Sequence, residues 1–181
     1  MLFENKGPEN TDQVIEAVLK RAKELNIKHV VLATKTGDTA KKLLGHDLDI
    51  TCVTYHVGFK NPGEDLLPLE NRKELEKLGM KVLTTTHLFA GLDRAVKNKF
   101  SGIYPAELMA HTLRMFGQGT KVSIEVAGMA LDAGLIPYGE DVIALAGSGR
   151  GADTAIVIRP SHSNNFFDTK IREIICKPRE F

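Results

Sequence analysis

The chain of 181 residues contains no tryptophan, and only 6% of its residues are aromatic. It has two cysteines, Cys52 and Cys176, which is too few for a disulfide framework. No segment approaches the ~18 consecutive apolar residues of a membrane span. The amino terminus also lacks the basic start and the long apolar stretch of a signal peptide. Both cysteines lie in apolar runs typical of strands, so we expect buried thiols in a cytoplasmic protein with no membrane partner.

An excess of charge of one sign is absent as well. The chain has 24 Lys and Arg residues against 23 Asp and Glu residues, which gives a formal net charge of +1. These charges are interspersed, whereas a nucleic-acid-binding surface needs a concentration of basic residues. His29, His46 and His111 have no neighbours at the spacing of metal ligands. We therefore expect neither a nucleic-acid partner nor a metal site.

What the chain does contain is an alternation of strand and helix patterns. Short, β-branched apolar runs predict six strands: His29–Ala33, Ile50–Tyr55, Lys81–Thr84, Val142–Ala146, Ala155–Ile158 and Ile171–Ile175. Apolar residues at helical spacing predict helices that begin near Asn10 or Thr11, that lie between Ala40 and Gly45, and that span Leu69–Leu78, Pro105–Phe116 and Thr120–Ala133.

This alternation predicts the α/β fold class, with three layers: a mostly parallel sheet and helices on both of its faces. We expect one domain over residues 1–181, because no linker, repeat or change of composition divides the chain. The strands near the carboxyl terminus have no helix between them, which predicts at least one antiparallel pair. We expect the last strand, Ile171–Ile175, at an edge of the sheet.

Ligands bind such sheets outside the carboxyl ends of the strands, so the loops that follow the strands are the candidate sites. The first of them comprises Thr34, Lys35, Thr36, Gly37, Asp38 and Thr39. Hydroxyl groups, a lysine and a helix start can hold a phosphate or sulfate there. The alternative is an ordinary turn in which Asp38 or Thr39 only caps the helix.

Three further loops are candidates at the same edge. His56, Gly58 and Phe59 follow the second strand and could receive a planar ring, although Phe59 could equally belong to the core. His87 ends the run of threonines after the third strand. Gly147, Ser148, Gly149 and Arg150 could surround an anion, or they could form a plain glycine turn. Inside a predicted helix, Glu125 is expected to be paired or functional.

The segment Leu32–Ala40 resembles the strand, loop and helix that bind the sugar phosphate effector in the C-terminal domain of pyruvate kinase. That family commonly has an arginine where this chain has Asp38, which argues against a sugar bisphosphate ligand. Almost the whole chain resembles the pyruvate kinase C-terminal-domain-like proteins, a stand-alone group of archaeal type. The resemblance is carried by Gly37–Ala40, Val53–Phe59, Lys121–Glu125, Arg150–Ala155 and Asn165–Asp168.

This resemblance implies the same fold, a homo-oligomer and flavin mononucleotide (FMN) as the bound cofactor. It implies neither a known reaction nor pyruvate kinase activity, since that activity needs a separate barrel domain. Our leading hypothesis is therefore a protein that binds a phosphorylated small molecule, FMN first. One alternative is a regulatory or sensor module for a phosphorylated metabolite. Another is an enzyme, either a flavin-dependent oxidoreductase or a phosphate-ester hydrolase.

Overall fold

Seven strands form one sheet in the computed structural model, which describes residues 1–181. The order of the strands is β1-β7-β6-β5-β2-β3-β4. All strands run in the same direction except β6, which is antiparallel to both β5 and β7. The bounds are β1 (Leu2–Asn5), β2 (His29–Ala33), β3 (Asp49–Val53), β4 (Lys81–Leu83), β5 (Val142–Ala146), β6 (Thr154–Arg159) and β7 (Lys170–Glu180).

Helices cover both faces of this sheet. They are α1 (Thr11–Leu25), α2 (Asp38–Lys41), α3 (Leu69–Lys77), α4 (Gly91–Phe100), α5 (Pro105–Arg114) and α6 (Gln118–Asp132), with 3₁₀ turns at Pro8–Asn10 and Ser163–Asp168. The apolar side chains of α1, α2 and α3 share one core cluster with the sheet. Those of α6 form a second cluster on the opposite face, with Leu113 of α5 against it.

The central strands are buried on both faces, which is why their sequences read as continuous apolar runs. In β2, Leu32 belongs to the core beside α1, whereas Val31 belongs to the core beside α6. In β5, Leu145 and Ala144 divide in the same way. The predicted three-layer α/β fold, its mostly parallel sheet and its antiparallel pairing are therefore confirmed.

Two elements were not predicted, and one position in the sheet was predicted wrongly. The strand β1 and the helix α4 are absent from the sequence-based assignment. Because β1 pairs in parallel with the second half of β7, β7 lies between β1 and β6 and is not an edge strand. The predicted strand Ile50–Tyr55 ends earlier, at Val53, and the second helix is a single turn that begins at Asp38.

Both cysteines are free and fully buried, as expected, in β3 and β7. Burial raises the pKa of Cys52 to about 12 and that of Cys176 to about 11. No helix has the length and apolar character needed to cross a membrane. No group of three or more His, Cys, Asp or Glu side chains is arranged to hold a metal ion.

Candidate ligand-binding site

The topology brings the four predicted loops to one edge of the sheet. Strands β5, β2, β3 and β4 are neighbours and parallel, so their carboxyl ends lie side by side in this order. The loops that follow them begin at Gly147, Thr34, Thr54 and Thr84. The predicted site residues therefore occupy adjacent positions along a single edge, where open α/β sheets bind ligands.

The loop Thr34–Thr39 is held by its own side chains and by α3. The Gly37 amide donates a hydrogen bond of 2.9 Å to Thr34 Oγ1, and Thr36 Oγ1 donates one of 2.7 Å to Asp38 Oδ2. Asn71 of α3 donates to the carbonyl oxygen of Thr36 over 2.7 Å. The hydroxyl of Thr36 is thus engaged by Asp38, whereas Lys35 is exposed and forms no ion pair.

Packing, rather than ligand access, accounts for the glycine in this loop. Gly37 has φ = +93°, a left-handed conformation that favours glycine. A Cβ atom at this position would lie 2.8 Å from Cδ2 of Leu75, a fully buried side chain of α3. Gly37 therefore lets the loop approach α3. No side chain caps the helix α2 that follows, so neither Asp38 nor Thr39 serves as the predicted cap.

Four rings gather after β3 and β4. Tyr55 lies 4.3 Å from Phe59 and 5.9 Å from His87, measured between ring centroids. His56 lies 5.5 Å from Phe59 and 6.1 Å from His87. Phe59 is 42% exposed, so it is not a core residue. We call Tyr55, His56, Phe59 and His87 the ring cluster.

The polar atoms of the ring cluster differ in how they are satisfied. His56 Nδ1 is buried and has no hydrogen-bond partner. Burial, together with the charges of His87 and Arg94, lowers the pKa of His56. His87 Nε2 lies 3.2 Å from the carbonyl oxygen of Thr54. The amide of Gly58 donates to the carbonyl oxygen of Glu64 over 2.8 Å, which closes the loop that carries Phe59.

A buried ion pair, formed by Glu125 and Lys121, contacts His87. Glu125 is 1% exposed, and its Oε2 lies 2.5 Å from Lys121 Nζ and 3.7 Å from His87 Nδ1. Its Oε1 accepts a hydrogen bond of 2.9 Å from the Phe89 amide. Burial alone would raise the pKa of Glu125, but His87, Lys121 and the Phe89 amide outweigh burial and hold this pKa at about 2. Glu125 is therefore ionised and paired.

Arg72 of α3 is a residue of the site that carried no signal in the sequence analysis. Thr54 Oγ1 and Thr84 Oγ1 lie 2.6 Å apart, and Arg72 of α3 contacts Thr84 Oγ1. Arg72 also lies 3.3 Å from Asp65. The hydroxyl of Thr84 thus ties β3, β4 and α3 together. Arg72 could not be found from the sequence, because its partners are distant in the chain and charged residues are frequent in exposed helices.

The loop Gly147–Ala152 folds back on the start of α1. The Ser148 amide donates to Asp153 Oδ2 over 3.0 Å, and the Ala152 amide donates to Thr11 Oγ1 over 3.0 Å. Ser148 Oγ is buried without a partner, whereas Gly149 and Arg150 are exposed. Arg150 forms no ion pair, so its guanidinium is available to an anion.

A family model and several solved structures are similar to this chain. The family model described as "Pyruvate kinase, alpha/beta domain" matches residues 12–158. A pyruvate kinase structure from Cryptosporidium parvum is similar over 82% of this chain and 22% of that chain, with 14% identity and a TM-score of 0.44. A second pyruvate kinase structure from the same organism is similar over 75% of this chain and 20% of that chain, with 16% identity and a TM-score of 0.39. A third, in complex with ADP, is similar over 81% of this chain and 22% of that chain, with 17% identity and a TM-score of 0.38. The chain spans about one fifth of the length of these structures.

Proposed function

The chain belongs to the family of the pyruvate kinase alpha/beta domain, and from this premise we propose that it binds a phosphorylated small molecule, FMN first, at the carboxyl ends of its strands. The observation that carries this proposal is the ring cluster. A partly exposed phenylalanine, with a tyrosine and two histidines that are half-buried, lies at the edge where α/β sheets take their ligands. Aromatic surfaces of this kind suit a planar ring system.

The ring cluster has a chemical feature that suits a flavin. The flavin ring system carries hydrogen-bond donors and acceptors along its edge, and His56 Nδ1 is a buried polar atom without a partner. Leaving such an atom unsatisfied costs about 1–3 kcal/mol, which a ligand hydrogen bond would recover. His56, Phe59 and His87 would hold the ring. When bound, FMN would supply reversible electron transfer.

The phosphate of the ligand is assigned to the neighbouring loops. Lys35 on the loop Thr34–Thr39 and Arg150 on the loop Gly147–Ala152 are exposed and free of ion pairs. These loops follow the adjacent strands β2 and β5, so the two cations can approach one phosphate. Asp38 opposes an anion there, although its carboxylate already accepts the hydroxyl hydrogen of Thr36.

Fluorescence titration tests this proposal. The protein is titrated with FMN and, as the matched ligand, with riboflavin, which has the same ring but no phosphate. We expect quenching with both and tighter binding of FMN. Phe59→Ala should weaken FMN binding about tenfold, since aromatic contacts of this kind contribute roughly 0.5–1.5 kcal/mol beyond burial. The control Phe167→Ala, at an 86% exposed ring outside the site, should not change it. No quenching by FMN at millimolar concentration would overturn the proposal.

A sensor for a phosphorylated metabolite is the second candidate, and the surface of α4 and α5 favours it. Leu92, Phe100, Ile103 and Met115 are between 68% and 82% exposed. Leu92, Val96 and Phe100 follow one another at intervals of four residues along α4, and an exposed apolar stripe can mark an interaction site, which a sensor would use to pass on its signal. Thermal stabilisation by sugar phosphates but not by FMN would select this candidate over the flavoprotein.

A further inference from the structure

A cavity of about 300 Å³ lies between α4 and α5, next to the buried Lys121–Glu125 pair. Its floor includes Phe89, whose ring lies 5.2 Å from Lys121 Nζ and whose amide donates to Glu125. Its walls carry the charged side chains Arg94, Lys97, Glu107, His111 and Arg114. None of these residues belongs to the four loops assigned to the phosphorylated ligand.

Each acidic side chain at this cavity has one oxygen that is already engaged. Asp93 Oδ2 accepts a hydrogen bond of 2.8 Å from the Ala106 amide at the start of α5. Glu107 Oε1 contacts Lys97 Nζ and lies 3.9 Å from His111 Nε2. Accordingly, the pKa of Glu107 is lowered, first by its hydrogen bond with Lys97.

Arg94 and Arg114, in contrast, have no carboxylate partner. Arg94 forms no ion pair, and Arg114 donates through Nε to the neutral side chain of Gln118 over 2.7 Å. Both guanidinium groups lie close enough to Lys121 to lower its pKa, in addition to the larger effect of burial. Of the arginine and lysine side chains that line the cavity, Arg94, Lys97 and Arg114, only Lys97 has a carboxylate counter-ion, Glu107.

A residue that lines the cavity, Glu107, also has one acceptor atom without a partner. Glu107 Oε2 is buried and has no hydrogen-bond partner. A carboxylate oxygen accepts hydrogen bonds only, so the group that satisfies it must be a donor such as a hydroxyl. A ligand that fits these walls therefore combines an oxyanion, which faces the two arginines, with a hydroxyl, which faces Glu107.

Size restricts the ligand further. A cavity of about 300 Å³ is at the lower limit of small-molecule sites. At about 30 Å³ for each water-sized group, it holds roughly ten non-hydrogen atoms. A complete flavin nucleotide is much larger than that, so FMN is not the occupant.

We propose that the cavity between α4 and α5 binds a small hydroxylated organic acid or its phosphate ester, through Arg94 and Arg114 for the oxyanion and Glu107 Oε2 for the hydroxyl. The residues that line this cavity differ from those proposed to hold FMN, although the charge of Arg94 reaches His56 of the ring cluster. The carboxylate and the phosphate share the chemistry that arginine recognises, and the experiment distinguishes them.

Calorimetric titration of the full chain with three probes tests the proposal. Malate and succinate are four-carbon diacids that differ by one hydroxyl, and glycerol 3-phosphate supplies a phosphate and two hydroxyls. We expect malate or glycerol 3-phosphate to bind at millimolar concentration or below, which identifies the carboxylate or the phosphate as the preferred oxyanion. If malate binds, succinate should bind at least tenfold more weakly, because it leaves Glu107 without its donor.

Variants assign the binding to this cavity. Arg94→Gln and Arg114→Gln should each weaken binding of the active probe at least tenfold. The control Arg172→Gln, at a partly exposed arginine on β7, should not. Arg94 is exposed, so Arg94→Gln keeps the test valid even if Arg114→Gln unfolds the chain. Absence of binding by all three probes, or binding that survives Arg94→Gln, would overturn the proposal. Unchanged FMN titration of Arg114→Gln would separate this site from the flavin site.

Discussion

Replacing Glu125 with glutamine removes the negative charge from the buried pair that supports the candidate site. In the wild-type chain, Glu125 Oε2 lies 2.5 Å from Lys121 Nζ, and both side chains are at least 92% buried. Glutamine preserves the size of the side chain and can still accept the Phe89 hydrogen bond. It leaves the Lys121 ammonium without a counter-ion, in a place where burial already lowers the pKa of this lysine.

The size of the effect follows from the pKa of Glu125. Its fall from 4.5 to about 2 corresponds, at 1.36 kcal/mol for each pKa unit, to about 3 kcal/mol of stability at neutral pH. Loss of one partner of a buried pair typically costs about 3–5 kcal/mol, which agrees. We therefore expect Glu125→Gln to lower the free energy of unfolding by about 3 kcal/mol.

The pH dependence has a definite sign. A carboxyl group whose pKa is lower in the folded state stabilises the fold above its unfolded pKa, 4.5, and this contribution disappears as the pH falls towards 2. Glutamine does not titrate. The stability difference between wild type and Glu125→Gln should thus be constant near pH 7 and should shrink below about pH 5.

Urea unfolding followed by far-UV circular dichroism measures these differences. The matched control is Glu24→Gln, because Lys20 and Glu24 have the same i, i+4 spacing on α1 but are 77% and 44% exposed, and the second partner of Glu24, Arg21, also lies at the surface. An exposed pair contributes less than about 1 kcal/mol. The double variant Lys121→Met/Glu125→Gln should recover at least half of the loss, since it removes the unpaired cation. A loss below about 1 kcal/mol for Glu125→Gln, equal to that of Glu24→Gln, would refute this reasoning.

Two further outcomes are expected. Gly37→Ala should lower the free energy of unfolding by about 1–3 kcal/mol more than Gly45→Ala does. Both glycines have positive φ, but a Cβ at Gly45 meets no atom within 4 Å, whereas a Cβ at Gly37 meets Leu75. Equal losses for the two variants, measured by urea unfolding, would contradict the role of Leu75. Light scattering should detect a homo-oligomer, and the double variant Leu92→Glu/Phe100→Glu should be a monomer. The reason is that these two apolar side chains on α4 are more than two-thirds exposed. A monomeric wild-type protein would contradict the homo-oligomer.

The most accurate predictions from the sequence concern the elements whose apolar residues lie in the two cores. The strands β2 and β5 and the helices α1 and α6 have continuous or periodic apolar residues because they lie in the two cores. The strand β1 escaped detection because its four residues include only one buried side chain, Phe3. Without β1, nothing indicated that β7 had a neighbour on its outer side, and it was assigned to an edge.

The candidate site was predictable as far as topology fixes it. Parallel strands bring the ends of β2, β3 and β4 together, so His56, Phe59 and His87 could be expected near one another. The pairing of Glu125 with Lys121 has helical spacing and was foreseeable as a pairing, but its contact with His87 was not. That contact depends on how α6 lies across the sheet, which local patterns do not encode.

The cavity between α4 and α5 was not predicted because α4 itself was not predicted. This helix also links two proposals, ligand binding in the cavity and assembly through the exposed side of α4. Leu92, Val96 and Phe100 follow one another at helical spacing, yet α4 has no buried residue. Its apolar stripe faces outward, while Arg94 and Lys97 face the cavity. In the two proposals, the polar side of α4 binds the charged ligand and its apolar side contacts a partner. A ligand that favours assembly is bound more tightly by the assembled form, because the free energy that couples ligand binding to assembly is the same in both directions.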